Sequence, residues 1–346
     1  MVDDSVVIRR LVTHALEREP GLEVVGFASN GSVALARIPQ LNPDVITLDI
    51  EMPEMDGLET LRELRKHFPL IRVVMFSTLT DRGAAITLQA LALGADDYVA
   101  KASNAGSLDR SMASLQAELI PKIKQFFVMP GASPAAAPSA EAKTPAKLPP
   151  PASVGRRKVL AIGTSTGGPN ALGAVIPAIP ADFPLPILIV QHMPPLFTRL
   201  LAERLQASSP LKVEEAQSGS KVTPGKVLIA PGDFHMQVRN GGGETVIALD
   251  QSPPENSCRP AVDVLFRSVA EVYGGTAVSA VLTGMGQDGL RGVEALKARG
   301  AYVIAQDEAS SVVWGMPGAV AGAGLADRVV PLDGVVPEIL QQIGRG

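Results

Sequence analysis

Gly163, Ser165 and Gly167 stand at alternate positions in KVLAIGTSTGGPNALG, residues 158–173, where a hydrophobic run meets a glycine-rich turn. Two chemistries suit such a turn. A glycine-rich strand-to-helix turn can hold an anion on unpaired backbone N–H groups. However, no lysine follows the glycines as a phosphate-binding loop requires, and their spacing misses the dinucleotide fingerprint. The G-x-S-x-G spacing can instead lift a serine onto a tight elbow as a nucleophile, although capping a helix is the simpler role for the same residue. A serine nucleophile needs a base, and the chain has four histidines. His14 and His67 fall in helical text of the first half. His192 ends the run PILIVQ and enters HMPP, on the edge of a parallel sheet that Ser165 would share, whereas His235, in APGDFHM, suits a structural hydrogen bond or a cleft wall equally. A carboxylate would then orient the imidazole. Asp288 in AVLTGMGQDGLRG follows another strand and a glycine turn, with Asp233, Asp263 and Asp307 as alternatives whose simpler roles are turn, helix-terminal and surface. The order Ser, His, Asp differs from the Ser, Asp, His of α/β-hydrolases, so the elbow does not bring that fold with it.

A second set of reactive types lies in the first half. Asp3 and Asp4 open the chain, Asp49 ends DVITLDI, Ser77 and Thr78 end RVVMFST, and Lys101 ends DDYVAK. Singly, each reads as a residue bordering a solvated loop. Together they mark four strand ends on one sheet edge, where converging carboxylates would hold a hard cation such as Mg²⁺, and a lysine and a hydroxyl would suit a phosphoryl group.

The elements that must position these residues alternate in type. SVVIRRLVTHALER, SVALARIPQ, GLETLRELRKHF and GAAITLQALALG carry apolar residues at helical spacing and alternate with the strand-like EVVGFA, DVITLDI, RVVMFST and DDYVAK. The second half runs through KVLAIG, PILIVQ, KVLIAP, TAVSAVLTG and AYVIAQ, with helical text between most of them. GKVLIAPGDFHMQVRNGGGETVIAL predicts an inserted antiparallel hairpin and a sheet mixed at one edge. Residues 125–156, rich in Pro, Ala and Ser, read as a linker between two α/β domains, 1–124 and 157–346.

Composition excludes several classes. A net charge of −4 leaves no footprint for nucleic acid. No apolar run approaches the ~20 residues of a membrane span, and no signal core opens the chain, so the expectation is a cytoplasmic protein without membrane insertion. The single cysteine, Cys258, allows neither a disulfide framework nor a cysteine-rich metal site and reads as a buried or incidental thiol.

Residues 1–124, with their strand-end acids and LDIEMPEMDGLETL, resemble the receiver domain of bacterial response regulators, a flavodoxin-like parallel sheet. The resemblance implies Asp49 as phospho-acceptor, Mg²⁺ held by Asp3, Asp4 and Asp49, Ser77 and Lys101 as the switch pair, and Gly57 in the turn after the phosphorylation loop. The sequence departs from that pattern in two places. Only Met1 and Val2 precede the acidic pair, so the first strand reads as truncated and Met1 as a start assigned too late, and Lys101 is followed by Ala102 where the family has proline. GTSTGGP, QHMP, APGDFHM, SCRPAVDVLF and LTGMGQDG together resemble the Rossmann-like catalytic domain of the chemotaxis protein-glutamate methylesterases, the CheB family. That implies Ser165 as nucleophile, His192 as base, Asp288 as its orienting acid, and Thr166, Gly167 and Met285 around the oxyanion. It further implies methylated chemoreceptors as substrates, deamidation of receptor glutamines, a histidine kinase as phosphodonor, and no cofactor for the hydrolysis itself. Two rivals remain from other classes: a phosphorylation-controlled receptor-binding module without esterase activity, and a nucleotide-binding domain.

Overall fold

The computed structural model describes residues 1–78, 80–101, 108–127 and 156–344. The linker expected at 125–156 lies largely outside the described residues, as does Ala102.

In the first half, α1 (Val6–Leu16), α2 (Gly31–Leu41), α3 (Gly57–His67), α4 (Asp81–Ala92) and α5 (Leu108–Lys124) surround three parallel strands, β1 (Val45–Asp49), β2 (Arg72–Ser77) and β3 (Asp97–Ala100). The helices start where the sequence supplies caps. Ser5, Asn30 and Thr80 accept backbone N–H bonds at three N-termini, and Asp56 and Glu59 form a reciprocal capping box on α3. The strands read as apolar runs because helices cover both faces. EVVGFA, expected as a strand, forms only a bridge from Ala28 to Val2. Val2 bridges both Ala28 and Leu48, so this segment meets the sheet through a single residue.

The second half contains β4 (Val159–Thr164), β5 (Ile187–Gln191), β6 (Lys212–Glu215), β7 (Lys226–Ile229), β10 (Ala277–Val281), β11 (Tyr302–Gln306) and β12 (Arg328–Val330) in one sheet of order β12-β11-β10-β4-β5-β7-β6. Every pair in it is parallel, which corrects the expectation of a mixed edge. The antiparallel pair β8 (His235–Gly241) and β9 (Glu244–Asp250) forms a separate two-stranded sheet instead. Its turn, Gly242-Gly243, takes positive φ at both residues, the backbone that a tight hairpin needs. The strands β6 and β12, short edges with little apolar text, were not anticipated. Helices α6 (Gly168–Ala178), α7 (Pro195–Ser208), α8 (Val262–Tyr273), α9 (Leu290–Ala298), α10 (Met316–Gly322) and α11 (Val335–Gly344) complete the two covering layers. The sheet side chains divide between two apolar clusters: Leu160, Ile162 and Ile189 face α6 and α7 residues, while Val159, Ala161 and Val190 join Leu265 and Phe266 of α8.

Candidate functional site

The three adjacent strands β10, β4 and β5 end on the loops that carry Asp288, Ser165 and His192. Parallel order sends all three loops to one edge, the crevice where an open α/β sheet binds ligands.

The serine turn is braced on every side. Ser165 N–H donates to Thr283 O (3.0 Å), Gly168 N–H and Gln191 Nε2 donate to Ser165 O (2.8 and 2.9 Å), and Thr283 Oγ1 donates to Thr166 O (2.9 Å). Gly167 has φ 78°, the left-handed backbone that lets the chain turn straight into α6. At Gly284 a Cβ would stand 2.8 Å from Ser165 Cβ, so glycine allows the loop bearing Met285 to lie against the serine. Among the described residues, the backbone N–H groups of Thr166, Gly167 and Met285 donate to no protein acceptor.

His192 Nε2 lies 2.8 Å from Asp288 Oδ2. Asp288 is buried and accepts four further bonds, from Val262 N–H (2.6 Å), Asp263 N–H (3.0 Å), Gly289 N–H (3.0 Å) and Asn256 Nδ2 (2.8 Å). Burial pushes its carboxyl up, but the His192 bond and the amides at the start of α8 outweigh burial and hold it below the usual carboxylate range. Burial likewise favours a neutral His192 ring, yet the bond to Asp288 and the contact of Cys258 Sγ with Nδ1, at 3.5 Å, push its pKa up to about 10. With Nε2 committed to Asp288, Nδ1 is the nitrogen left to exchange a proton. The Ser165 hydroxyl bonds to neither ring nitrogen in this arrangement.

The other candidates have different occupations. His235 is fully buried, with Nε2 3.1 Å from Pro253 O and Nδ1 accepting from Ala261 N–H at 3.2 Å, so it fastens the 251–261 loop to the hairpin. Asp233 pairs with Arg259 (Nε at 3.0 Å), Asp307 accepts from Ser310 N–H (3.0 Å), and Asp263 stands behind Asp288 without touching His192. Cys258, read from the sequence as a buried or incidental thiol, is half-buried and lies against the imidazole. SCRPAVDVLF pointed to that loop without indicating the contact.

In the first half, Asp3, Asp4 and Asp49 bring carboxylate oxygens within 4.8 Å of one another. Lys101 Nζ lies 2.6 Å from Asp49 Oδ2 and 3.5 Å from Asp3 Oδ2. Burial raises the pKa of Asp3 and Asp49, and Lys101 works against that rise. The Ser77 hydroxyl bonds to none of these side chains: it accepts from Thr87 Oγ1 (2.5 Å) of α4 and lies 3.4 Å from Gly83 O of α4 and 3.1 Å from Thr78 O.

The two halves meet over the cleft, a space of about 720 Å³ lined by Asp97, Tyr98 and Lys122 on one side and Ser165, His192 and Cys258 on the other. Thr166 Oγ1 donates to Asp97 Oδ2 (2.8 Å), and Asp97 Oδ1 accepts from Lys122 Nζ (3.1 Å). The Tyr98 ring stacks on Phe197 of α7 at 4.6 Å and 11°. From α4, Leu91 O accepts from Asn170 Nδ2 (2.6 Å), Leu88 O accepts from Arg204, and Asp81 pairs with Arg199. Sequence reasoning gave no sign of the Asp97–Thr166 bond, since the two residues are 69 positions apart and neither belongs to a motif that names the other.

An acid-lined α/β domain of the phospho-acceptor type is thus packed over a second α/β domain whose sheet edge gathers a serine, a histidine and an aspartate: the class is a response regulator with a hydrolase-like output. The CheB methylesterase family profile matches residues 160–339, and that of the response regulator receiver domain matches residues 1–113. The chain belongs to the CheB methylesterase family. A protein-glutamate methylesterase/protein-glutamine glutaminase of Nocardioides sp. is 51% identical over 348 residues, spanning 100% of this chain and 95% of the relative. One from Trichodesmium erythraeum is 48% identical over 349 residues, spanning 99% and 98%. The crystal structure of the Thermotoga maritima CheB methylesterase catalytic domain superposes with a TM-score of 0.53 at 45% identity, covering 54% of this chain and 98% of that one. No described helix is long and apolar enough to cross a membrane.

Proposed function

We propose that the chain is a phosphorylation-activated protein-glutamate methylesterase that also deamidates receptor glutamines, acting on methyl-accepting chemoreceptors in the cytoplasm. The observation that carries this reading is the convergence of Ser165, His192 and Asp288 on one sheet edge, with the unpaired amides of Thr166, Gly167 and Met285 beside the serine. Ser165 Oγ attacks the γ-ester carbonyl as His192 takes its proton, methanol leaves, and a glutamyl-serine ester remains. Water, deprotonated by the same imidazole, then releases glutamate and restores the serine. The free amides stabilise the negative oxygen of each tetrahedral intermediate, a contribution of about 3 kcal/mol per donor. In deamidation, ammonia replaces methanol as the leaving group. No metal is part of the hydrolytic scheme.

Control rests with the first domain. Asp3, Asp4 and Asp49 form a set of hard oxygen donors that fits Mg²⁺, which supplies charge neutralisation for phosphoryl transfer from a histidine kinase to Asp49. Lys101 already reaches the acceptor carboxylate, and Ser77 is tied to α4, the helix seated on Asn170 and Arg204 of the second domain. Drawing Ser77 toward a phosphorylated Asp49 breaks its bond to Thr87 and loosens that seat. Covering the cleft keeps substrate from Ser165, while the bond to Asp288 and the Cys258 contact raise the proton affinity of His192.

The test is methanol release from methylated receptor, with and without a small phosphodonor and Mg²⁺. Wild type should release methanol faster with phosphodonor, Ser165→Ala should release none, and Asp49→Ala should lose the stimulation. A folded wild type that binds receptor and releases nothing would favour the binding-module reading.

A further inference from the structure

Asp263 is a fully buried carboxylate that the hydrolytic scheme leaves unused. It occupies the first turn of α8, directly behind the residue that holds His192. Its backbone N–H donates to Asp288 Oδ1 (3.0 Å). Its side chain reaches two other segments: Oδ1 accepts from Gly292 N–H (2.6 Å) in α9, and Oδ2 accepts from Asn256 Nδ2 (2.9 Å) in the 251–261 loop. The same Asn256 nitrogen donates to Asp288 Oδ1 at 2.8 Å. One amide therefore bridges two carboxylates, and its residue is held at φ 51°, a left-handed backbone that asparagine tolerates better than most side chains.

Two buried acids this close repel, and a fold indifferent to the second one would place an apolar residue there. We propose that Asp263 and Asn256 are positioning residues for the hydrolysis: Asp263 fixes the Asn256 amide and the start of α9, and the pair holds Asp288 in line with His192 while adding a second negative charge behind the imidazole. This inference rests on the reading of Ser165, His192 and Asp288 as the catalytic set. The charged groups around Asp263 are Asp288, Glu255 and Arg267, the last two paired with each other through two bonds of 2.7 and 2.6 Å. The groups on His192 are Asp288 and Cys258. Burial raises the Asp263 pKa, and its bonds to Gly292 N–H and the Asn256 amide work against that rise and favour the charged form. A negative charge near an imidazolium stabilises it, so neutralising Asp263 lowers the pH at which the base loses its proton.

The experiment measures kcat and KM for methanol release against pH, using the full chain with phosphodonor, Mg²⁺ and methylated receptor. The variants are Asp263→Asn, Asn256→Ala and, as control, Asp288→Asn. Both positioning variants should lose roughly 10- to 100-fold in kcat with KM within about twofold, the scale set by small misplacements of catalytic groups. In Asp263→Asn the acid limb of the profile should also move to lower pH, a change that a merely structural strut would not produce. Wild-type kcat in both variants, or an unmoved limb in Asp263→Asn, overturns the proposal. Should Asp263→Asn fail to fold by thermal unfolding, Asn256→Ala decides on kcat alone, since Asn256 as a whole is an exposed residue of the loop. Full activity in Asp288→Asn would instead sink the catalytic set itself, so the two failures are distinguishable.

Discussion

Asp288 accepts hydrogen bonds from His192, Asn256, Val262, Asp263 and Gly289, which occupy both oxygens of a buried carboxylate. Such a group stays ionised, and its bond to His192, together with the Cys258 contact, lifts the His192 pKa from 6.5 to about 10. A histidine whose folded pKa is raised stabilises the fold fully below its unfolded pKa and loses that contribution as pH rises through the folded one. The thermal midpoint should therefore fall between pH 6.5 and about 10 in wild type and vary less over that window in Asp288→Asn. A wild-type midpoint that is flat across that interval would show that the pair does not hold the extra proton.

Elements contribute by placing backbone where side chains need it. The N-terminus of α8 aims the amides of Val262 and Asp263 at Asp288, and unpaired N–H groups there favour a negative charge. The loop leading into α8 carries Asn256 and Cys258 and is fastened to the hairpin by His235, whose Nδ1 accepts the Ala261 N–H while Nε2 lies 3.1 Å from Pro253 O. Replacing His235 with phenylalanine orphans the buried Ala261 N–H and removes the partner of Pro253 O on the exposed loop. The expected cost is roughly 1–3 kcal/mol, read by urea unfolding. A loss below about 0.5 kcal/mol would mean that the loop is held by other contacts.

At the scale of the whole molecule, the covered cleft depends on contacts of unequal weight. Arg199 and Asp81 are both exposed, 49% and 78% by side chain, and pairs of that kind contribute about 0–1 kcal/mol. Tyr98 is buried against Phe197, and removing a buried aromatic side chain costs about 3–5 kcal/mol. Part of that cost falls on the domain contact and shifts the molecule toward an open state. Tyr98→Ala should therefore raise methanol release measured without phosphodonor by severalfold, whereas Arg199→Ala should change it less than about twofold. Equal effects, or none from Tyr98→Ala, would show that the aromatic stack is not what keeps the cleft covered.

Much of the fold was legible in the chain because local patterns dictate local structure. Helical-period runs, apolar strands and the glycine hairpin at 242–243 are short-range properties, and the acids at the ends of apolar runs marked the receiver pocket. Ser165, His192 and Asp288 could be picked out because each follows a strand, and parallel strands end on the same side. Other features had no local signal. The all-parallel order depends on which strand the β8–β9 hairpin declines to join, and EVVGFA stays out of the sheet because its neighbour supplies a single bridging residue. Tertiary packing alone sets Cys258 against His192, Asn256 between two carboxylates, Ser77 on α4 and Asp97 on Thr166. Each of these contacts joins residues whose only relation is spatial, and hydrogen-bond geometry across such separations is decided when the layers close.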